Sequence, residues 1–191
     1  MTFCTTSVCA RHISVASDGR DGRREVAAKT KLAKTNAMRE LERAHVPFEV
    51  STYEPEEGEP ARDLGLRIAQ ALGFDPASQF KTLLCVSERQ EHVVCCIPVQ
   101  DELDLKKAAR AVGAKSLEMA PIKGLEQVCG YVRGAVSPVG MKHAFPTLID
   151  ETAELFDEIG ISGGRKGVTL TLAPQDLVSF LGAKLADIVH D

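Results

Sequence analysis

Two apolar runs, QFKTLLCVS over residues 79–87 and EHVVCCIPV over residues 91–99, are separated only by Glu88, Arg89 and Gln90, and this pair constrains the fold more than any other feature of the chain. The polar triplet reads as the connection of a β-hairpin. Successive side chains of a strand point to opposite faces, so the unbroken HVVCCIPV must be covered on both sides. Its hairpin partner is then central too. On that partner Lys81 shares a face with Leu83 and Cys85, while Phe80, Thr82, Leu84 and Val86 share the other. A lysine at a strand end can snorkel its ammonium to water. On a covered face it needs an anion, a carbonyl or a functional pocket instead.

Residues 1–33 carry no sustained apolar period and are rich in Ser, Thr, Arg and Gly, which predicts an extension outside the fold, with residues 34–191 forming one domain. Asp18, Asp21 and Glu25 and the lack of an apolar core argue against a secretory or transit peptide. No apolar run approaches the roughly 20 residues that cross a membrane, so the expectation is a soluble, cytoplasmic protein without a membrane partner. The six cysteines show no CxxC spacing, and the adjacent Cys95 and Cys96 point to opposite faces of a strand, so they read as buried reduced thiols. Charge is uneven. Residues 1–34 hold seven Lys/Arg against three Asp/Glu, a net of +4, which leaves 16 against 24, a net of −8, for the rest. An acidic main domain does not grip a polyanion by bulk electrostatics, so any nucleic-acid contact must be local or assisted.

Elsewhere, caps and periodicity predict helices over residues 35–44, 61–72, 104–112, 121–129, 174–181 and 183–189. Strands are expected over residues 48–53, 131–136, 146–150, 158–162 and 168–172, with an acidic, proline-bracketed loop over 54–60. Besides Lys81, two stretches hold candidate chemistry. GAVSPVG (134–140) runs from a strand into a Ser-Pro turn flanked by glycines, where a backbone can approach a ligand and present N–H groups, or simply turn. Ser137 lacks the GxSxG elbow and has only His143 nearby as a base, a weak serine-hydrolase signal. SGGRKG (162–167) has the look of an anion nest, yet it misses the phosphate-loop spacing and fits a glycine hairpin equally well. The five histidines have no ligand spacing, so no metal is assigned.

Taken in order, KTNAMRELERAHVPFEVSTYE, FKTLLCV, DLKKAARAVGAKSLEMA, GYVRGAVSPVG, FPTLIDE and ISGGRKG resemble the YbaK family of aminoacyl-tRNA deacylases, relatives of the editing domain inserted in bacterial prolyl-tRNA synthetase. The similarity covers residues 34–191, and within the superfamily the chain looks most like the free-standing Cys-tRNA(Pro) deacylases. The resemblance implies an α/β fold of the α+β kind: a mixed, mostly antiparallel sheet curled into a barrel-like core and surrounded by helices. It implies that Lys81 is the essential active-site lysine, with Gly134, Ser137 and Pro138 in the loop that wraps the aminoacyl end. Tyr53, Thr82, Ser162, Gly163 and Gly164 are then substrate-binding. The chain departs from the family pattern at Thr169, where relatives commonly carry an acidic residue, and near Leu64, where an aromatic is frequent.

The implied activity is trans-editing of mischarged Cys-tRNA(Pro), with the substrate's own thiol attacking its ester and no cofactor. Prolyl-tRNA synthetase is the implied partner beside tRNA(Pro). A deacylase for Ala-tRNA(Pro) or another small aminoacyl-tRNA, and a non-catalytic module that binds tRNA or synthetase, are the competing expectations. Lys106, Lys107, Arg110, Lys142, Arg165 and Lys166 are candidate tRNA contacts, though each reads more readily as part of a solvated helix or loop face.

Overall fold

The computed structural model describes residues 11–13, 33–55 and 63–190. In chain order its elements are β1 (Arg11–Ile13), α1 (Asn36–Arg43), β2 (Glu49–Thr52), α2 (Leu64–Leu72), β3 (Phe80–Ser87), β4 (His92–Pro98), α3 (Leu105–Val112), β5 (Leu117–Met119), α4 (Leu125–Cys129), β6 (Thr147–Asp150), β7 (Ile159–Ser162), β8 (Val168–Leu172), α5 (Pro174–Leu181) and β9 (Lys184–Ala186). The hairpin expected from sequence is β3 and β4, paired from Phe80↔Pro98 to Val86↔His92. It forms the middle of a five-stranded sheet ordered β5-β3-β4-β6-β9, in which β6 and β9 add in parallel.

β4 is covered on both faces, and its alternation sorts the core. Val94 and Cys96 pack in a cluster with Met38 and Leu41 of α1, Leu177 of α5 and Leu170 of β8. Val93, Cys95 and Ile97 pack in a second cluster with Ala108 and Ala109 of α3. The two adjacent cysteines therefore lie in different cores, both buried and free. Burial pushes the Cys96 thiol up to about 12, which keeps it protonated and unreactive. Cys4 and Cys9 lie outside the described residues.

A second sheet, β1-β2-β8-β7, is antiparallel throughout. The two sheets meet at one corner, where Gln79, just before β3, bridges Gly160 of β7 in parallel. A β-carbon at Gly160 would collide with the Gln79 carboxamide, so glycine is what allows the approach. The expected curl is realised as this corner between two sheets, which do not close into a barrel. Helices α1 and α5 pack into the first core and α3 into the second, and among the described residues no helix is long and apolar enough to cross a membrane.

Several local expectations are corrected. Residues 183–189 do not form a helix. Gly182, in the left-handed region, ends α5, and the chain then adds β9 to the open edge of β6, from Leu148↔Lys184 to Asp150↔Ala186. Ladder pairing outweighs a short helical pattern there. The helix expected from residue 121 begins only at Leu125, because Gly124 (φ 94°) breaks it. Residues 131–136 are not a strand, and residues 117–119 are one, pairing with the far end of β3. From the expected N-terminal extension, Arg11–Ile13 pairs with β2, while residues 1–10 and 14–32 lie outside the described residues, as do 56–62 of the acidic loop and the start of the following helix.

Candidate functional site

The corner between the sheets encloses a cavity of about 460 Å³. Its walls come from the start of β3, the end of β7, the start of β8, the first turns of α2, and the segments around residues 119–125 and 133–136. Lys81 lies half-buried in this wall. Its Nζ donates to the main-chain oxygens of Val99 (3.1 Å) and Asp101 (2.5 Å). An ammonium has three N–H donors, so two are fixed by the backbone after β4 and one remains. Burial lowers the Lys81 pKa, against the opposing pull of Asp101, Glu102 and Asp63. Gly65 of α2 is part of the same construction. A β-carbon there would sit 2.5 Å from the Val99 side chain, so glycine lets α2 lie against the residue whose carbonyl anchors Lys81.

The structure brings Lys81, Tyr53, Thr82, Gly134 and Ser162 to one cavity. Thr82 is buried with its hydroxyl 3.8 Å from the Cys96 sulfur. Tyr53 is held from behind by its N–H, which donates to Gly167 O at 3.1 Å. Ser162 Oγ accepts from Gly164 N at 3.3 Å. Thr169 stands between Ser51 of β2 and Ser162 of β7 in the ladder and also lines the cavity, so this stretch of wall is neutral and hydroxyl-bearing.

Four of the expected site residues do not line it. Ser137 is fully buried (0% exposed), and its Oγ accepts from Val139 N at 3.3 Å. Pro138 is buried beside it. Gly163 N donates to Val168 O at 2.9 Å inside the hairpin, and Gly164 backs onto Tyr131, whose ring a β-carbon would approach to 2.7 Å. The loop itself does reach the cavity, through Gly134 and Val136. The N–H groups of those two residues donate to nothing among the described residues. His143, the base a hydrolytic Ser137 would need, is exposed and packs edge-on against Phe145 at 6.2 Å. No histidine, cysteine or carboxylate is among the described residues that line the cavity.

Sequence reasoning missed Tyr131, Arg133 and Gln79. Tyr131 is 6% exposed, and its hydroxyl donates to Val139 O (2.6 Å) and Gly140 O (3.1 Å). Those bonds close the 131–140 loop on itself, while the ring lies against Gly164 of the hairpin that carries Ser162. Burial pushes its pKa up to about 12, so it stays a donor at any working pH. The available signal was its setting between Gly130 and Gly134, which suits a turn better than a strand.

Comparison with known proteins places this geometry among relatives. Residues 59–180 match the family model described as an aminoacyl-tRNA editing domain. An Enterococcus faecalis protein provisionally named Cys-tRNA(Pro)/Cys-tRNA(Cys) deacylase EbsC is 39% identical over 163 residues, which is 85% of this chain and 98% of that one. A crystal structure of a protein proposed as a trans-editing enzyme for prolyl tRNA synthetase superposes with a TM-score of 0.69 at 26% identity, covering 82% of this chain and 96% of that one. A hypothetical protein of known structure shares the fold at a TM-score of 0.72 and 18% identity, over 82% of this chain and all of its own.

Proposed function

The chain belongs to the aminoacyl-tRNA editing domain family, and from that premise we propose that it clears Cys-tRNA(Pro) in trans, using the thiol of the misattached cysteine as the nucleophile. The observation that carries this reading is the absence of any histidine, cysteine or carboxylate from the described cavity lining. The hydroxyls of that wall, such as those of Tyr53, Thr82 and Ser162, have no imidazole or carboxylate among the described lining to activate them, and the Lys81 ammonium is engaged by two carbonyls. A cysteinyl ester needs neither. Its sulfur attacks the ester carbonyl, the C–S bond forms, the bond from carbon to the ribose oxygen breaks, and the thiol proton ends on that oxygen. The products are free tRNA and a cyclic thiolactone, which water then opens to cysteine.

The protein's part is to hold sulfur near carbon and to stabilise the oxyanion. The remaining N–H of Lys81 and the main-chain N–H groups of Gly134 and Val136 suit that role. Ser137 and Pro138 act from behind by shaping the loop, and Tyr53, Thr82, Ser162, Gly163 and Gly164 by shaping the pocket that takes the amino acid. Residues 34–191 are the working domain in this reading, and the cytoplasm is where it meets its substrate. With a net of −8 over residues 35–191 the domain repels tRNA at long range. Selection of tRNA(Pro) therefore comes from prolyl-tRNA synthetase, which holds the tRNA while the ester is checked.

The test is deacylation of Cys-, Ala- and Ser-tRNA(Pro), each with and without prolyl-tRNA synthetase. Serine matches cysteine in size but carries a poorer nucleophile, so rapid loss of the cysteinyl ester alone is the expected result. Equal clearance of the alanyl or seryl ester would overturn the thiol mechanism. Tight, tRNA(Pro)-selective binding by the protein alone would overturn the borrowed selection.

A further inference from the structure

The mouth of the cavity has a composition that the amino-acid pocket does not explain. Met119 and Ile122 line it, yet are 48% and 59% exposed, two of the few large apolar side chains left open to water among the described residues. Arg133 also lines the cavity and is exposed. Lys166 is exposed on the β7–β8 hairpin, and its Cε would lie 3.7 Å from a β-carbon on Gly134, which places it over the same glycine that Arg133 precedes. Among the described residues neither cation has a hydrogen-bond or ion-pair partner, whereas Lys107 is paired with Asp187 and Lys142 donates to Glu126 O. Two unpaired cations and an open apolar shelf at one opening suit a ligand that is flat and apolar on one side and anionic on the other.

We propose that this mouth seats the 3′-terminal nucleotide of the substrate, its base on the Met119 and Ile122 shelf and its 5′ phosphate on Arg133 and Lys166. The inference rests on the deacylase reading, and covalent geometry supports it. When the aminoacyl group occupies the cavity, the ribose it is esterified to stands at the opening, and base and phosphate have to lie on the rim. Base stacking on apolar or aromatic side chains is tolerant of sequence, and phosphate contacts carry none, so the rim adds affinity without choosing a tRNA. A locally cationic rim also explains how an acidic domain can hold a polyanion.

The experiment measures KM for aminoacyl-tRNA clearance against salt in four variants of the full chain. Arg133→Ala and Lys166→Ala should each raise KM by roughly three- to tenfold and flatten the slope of log KM against log salt by about 0.7. Ile122→Ser should raise KM roughly fivefold while leaving the slope as in wild type. Lys115→Ala removes the same charge from the exposed segment between α3 and β5, at the far end of β3 from Lys81 and outside the cavity lining, and should move neither quantity. An unchanged KM and slope in Arg133→Ala and Lys166→Ala overturns the rim, and so does an equal effect of Lys115→Ala, which would mean bulk charge. Either result leaves an active wild type and the deacylase reading intact. If wild type clears no aminoacyl-tRNA at all, both fall together.

Discussion

One wall of the cavity is a strand ladder and another is a loop, and different forces hold them. Lys81 projects from β3, which is paired along its length with β4 and covered by a core on each side. Many backbone bonds share the task, so the wall tolerates a half-buried ammonium. The 130–140 segment has no ladder. It turns at three glycines with positive φ, Gly130, Gly134 and Gly140, and is fixed by a few side chains. Tyr131 donates to Val139 O and Gly140 O, Asn36 Nδ2 to Gly140 O at 2.7 Å, and Ser137 Oγ accepts from Val139 N. A redundant wall can afford a charged group, whereas a sparse wall depends on single contacts.

Lys81→Ala should produce the largest effect and the clearest asymmetry. It removes the charge but not the ladder, so deacylation should fall by about 10²- to 10³-fold while the melting temperature stays close to wild type. A folded variant with near-normal activity would strip Lys81 of its role. The same residue sharpens the comparison through pH. Because burial lowers its pKa from 10.5, the folded protein loses this proton at a lower pH than the unfolded chain does. Activity that needs the ammonium should therefore decline, after subtraction of spontaneous hydrolysis, as pH rises through that lowered value. The stability sign is the reverse of the usual paired lysine. The buried charge costs stability below the folded pKa, and the cost fades as pH climbs towards 10.5, so the stability gap between Lys81→Met and wild type should narrow with rising pH.

Tyr131→Phe probes the sparse wall. It keeps the ring against Gly164 and removes the hydroxyl, leaving Gly140 O with its Asn36 donor but Val139 O without its phenol. About 1–2 kcal/mol of stability and a few degrees of melting temperature should go with it. If the phenol positions the loop, kcat should fall roughly tenfold with little change in KM, since the loop donors act on the developing oxyanion. A variant that melts earlier but keeps wild-type kcat would show that Tyr131 supports the fold alone.

The two walls also differ in how far the sequence discloses them. The ladder was readable because its signals are local and redundant: HVVCCIPV demands cover on both faces whatever lies elsewhere, and Asp104 and Gly113 bracket α3 as expected, with the Asp104 carboxylate accepting from Lys106 N and Lys107 N. The loop was not, because Tyr131-Val132-Arg133 has strand composition and its conformation is decided by partners at Val139, Gly140 and Gly164. β9 was misread for the same reason, since only the edge of β6 distinguishes it from a helix. In the cavity, Lys81 announced itself as a cation in an apolar run. Arg133 and Gln79 did not, because an arginine in a loop and a glutamine before a strand are ordinary until the fold brings them to one opening.

The smallest effect is expected outside both walls. Deleting residues 1–33 removes β1, whose described part is three residues paired from Arg11↔Thr52 to Ile13↔Val50. β2 keeps its other ladder to β8, from Glu49↔Thr171 to Thr52↔Val168. Tyr53, the cavity residue that follows β2, is anchored through its N–H to Gly167 O rather than to β1. Neither the strand wall nor the loop wall then loses a contact that the structure describes. Melting temperature and deacylation rate should stay nearly unchanged, as for other terminal segments whose sequence shows no periodic apolar pattern. A loss of several degrees would show that the extension packs on the domain, and a loss of activity at unchanged stability would show that it reaches the substrate.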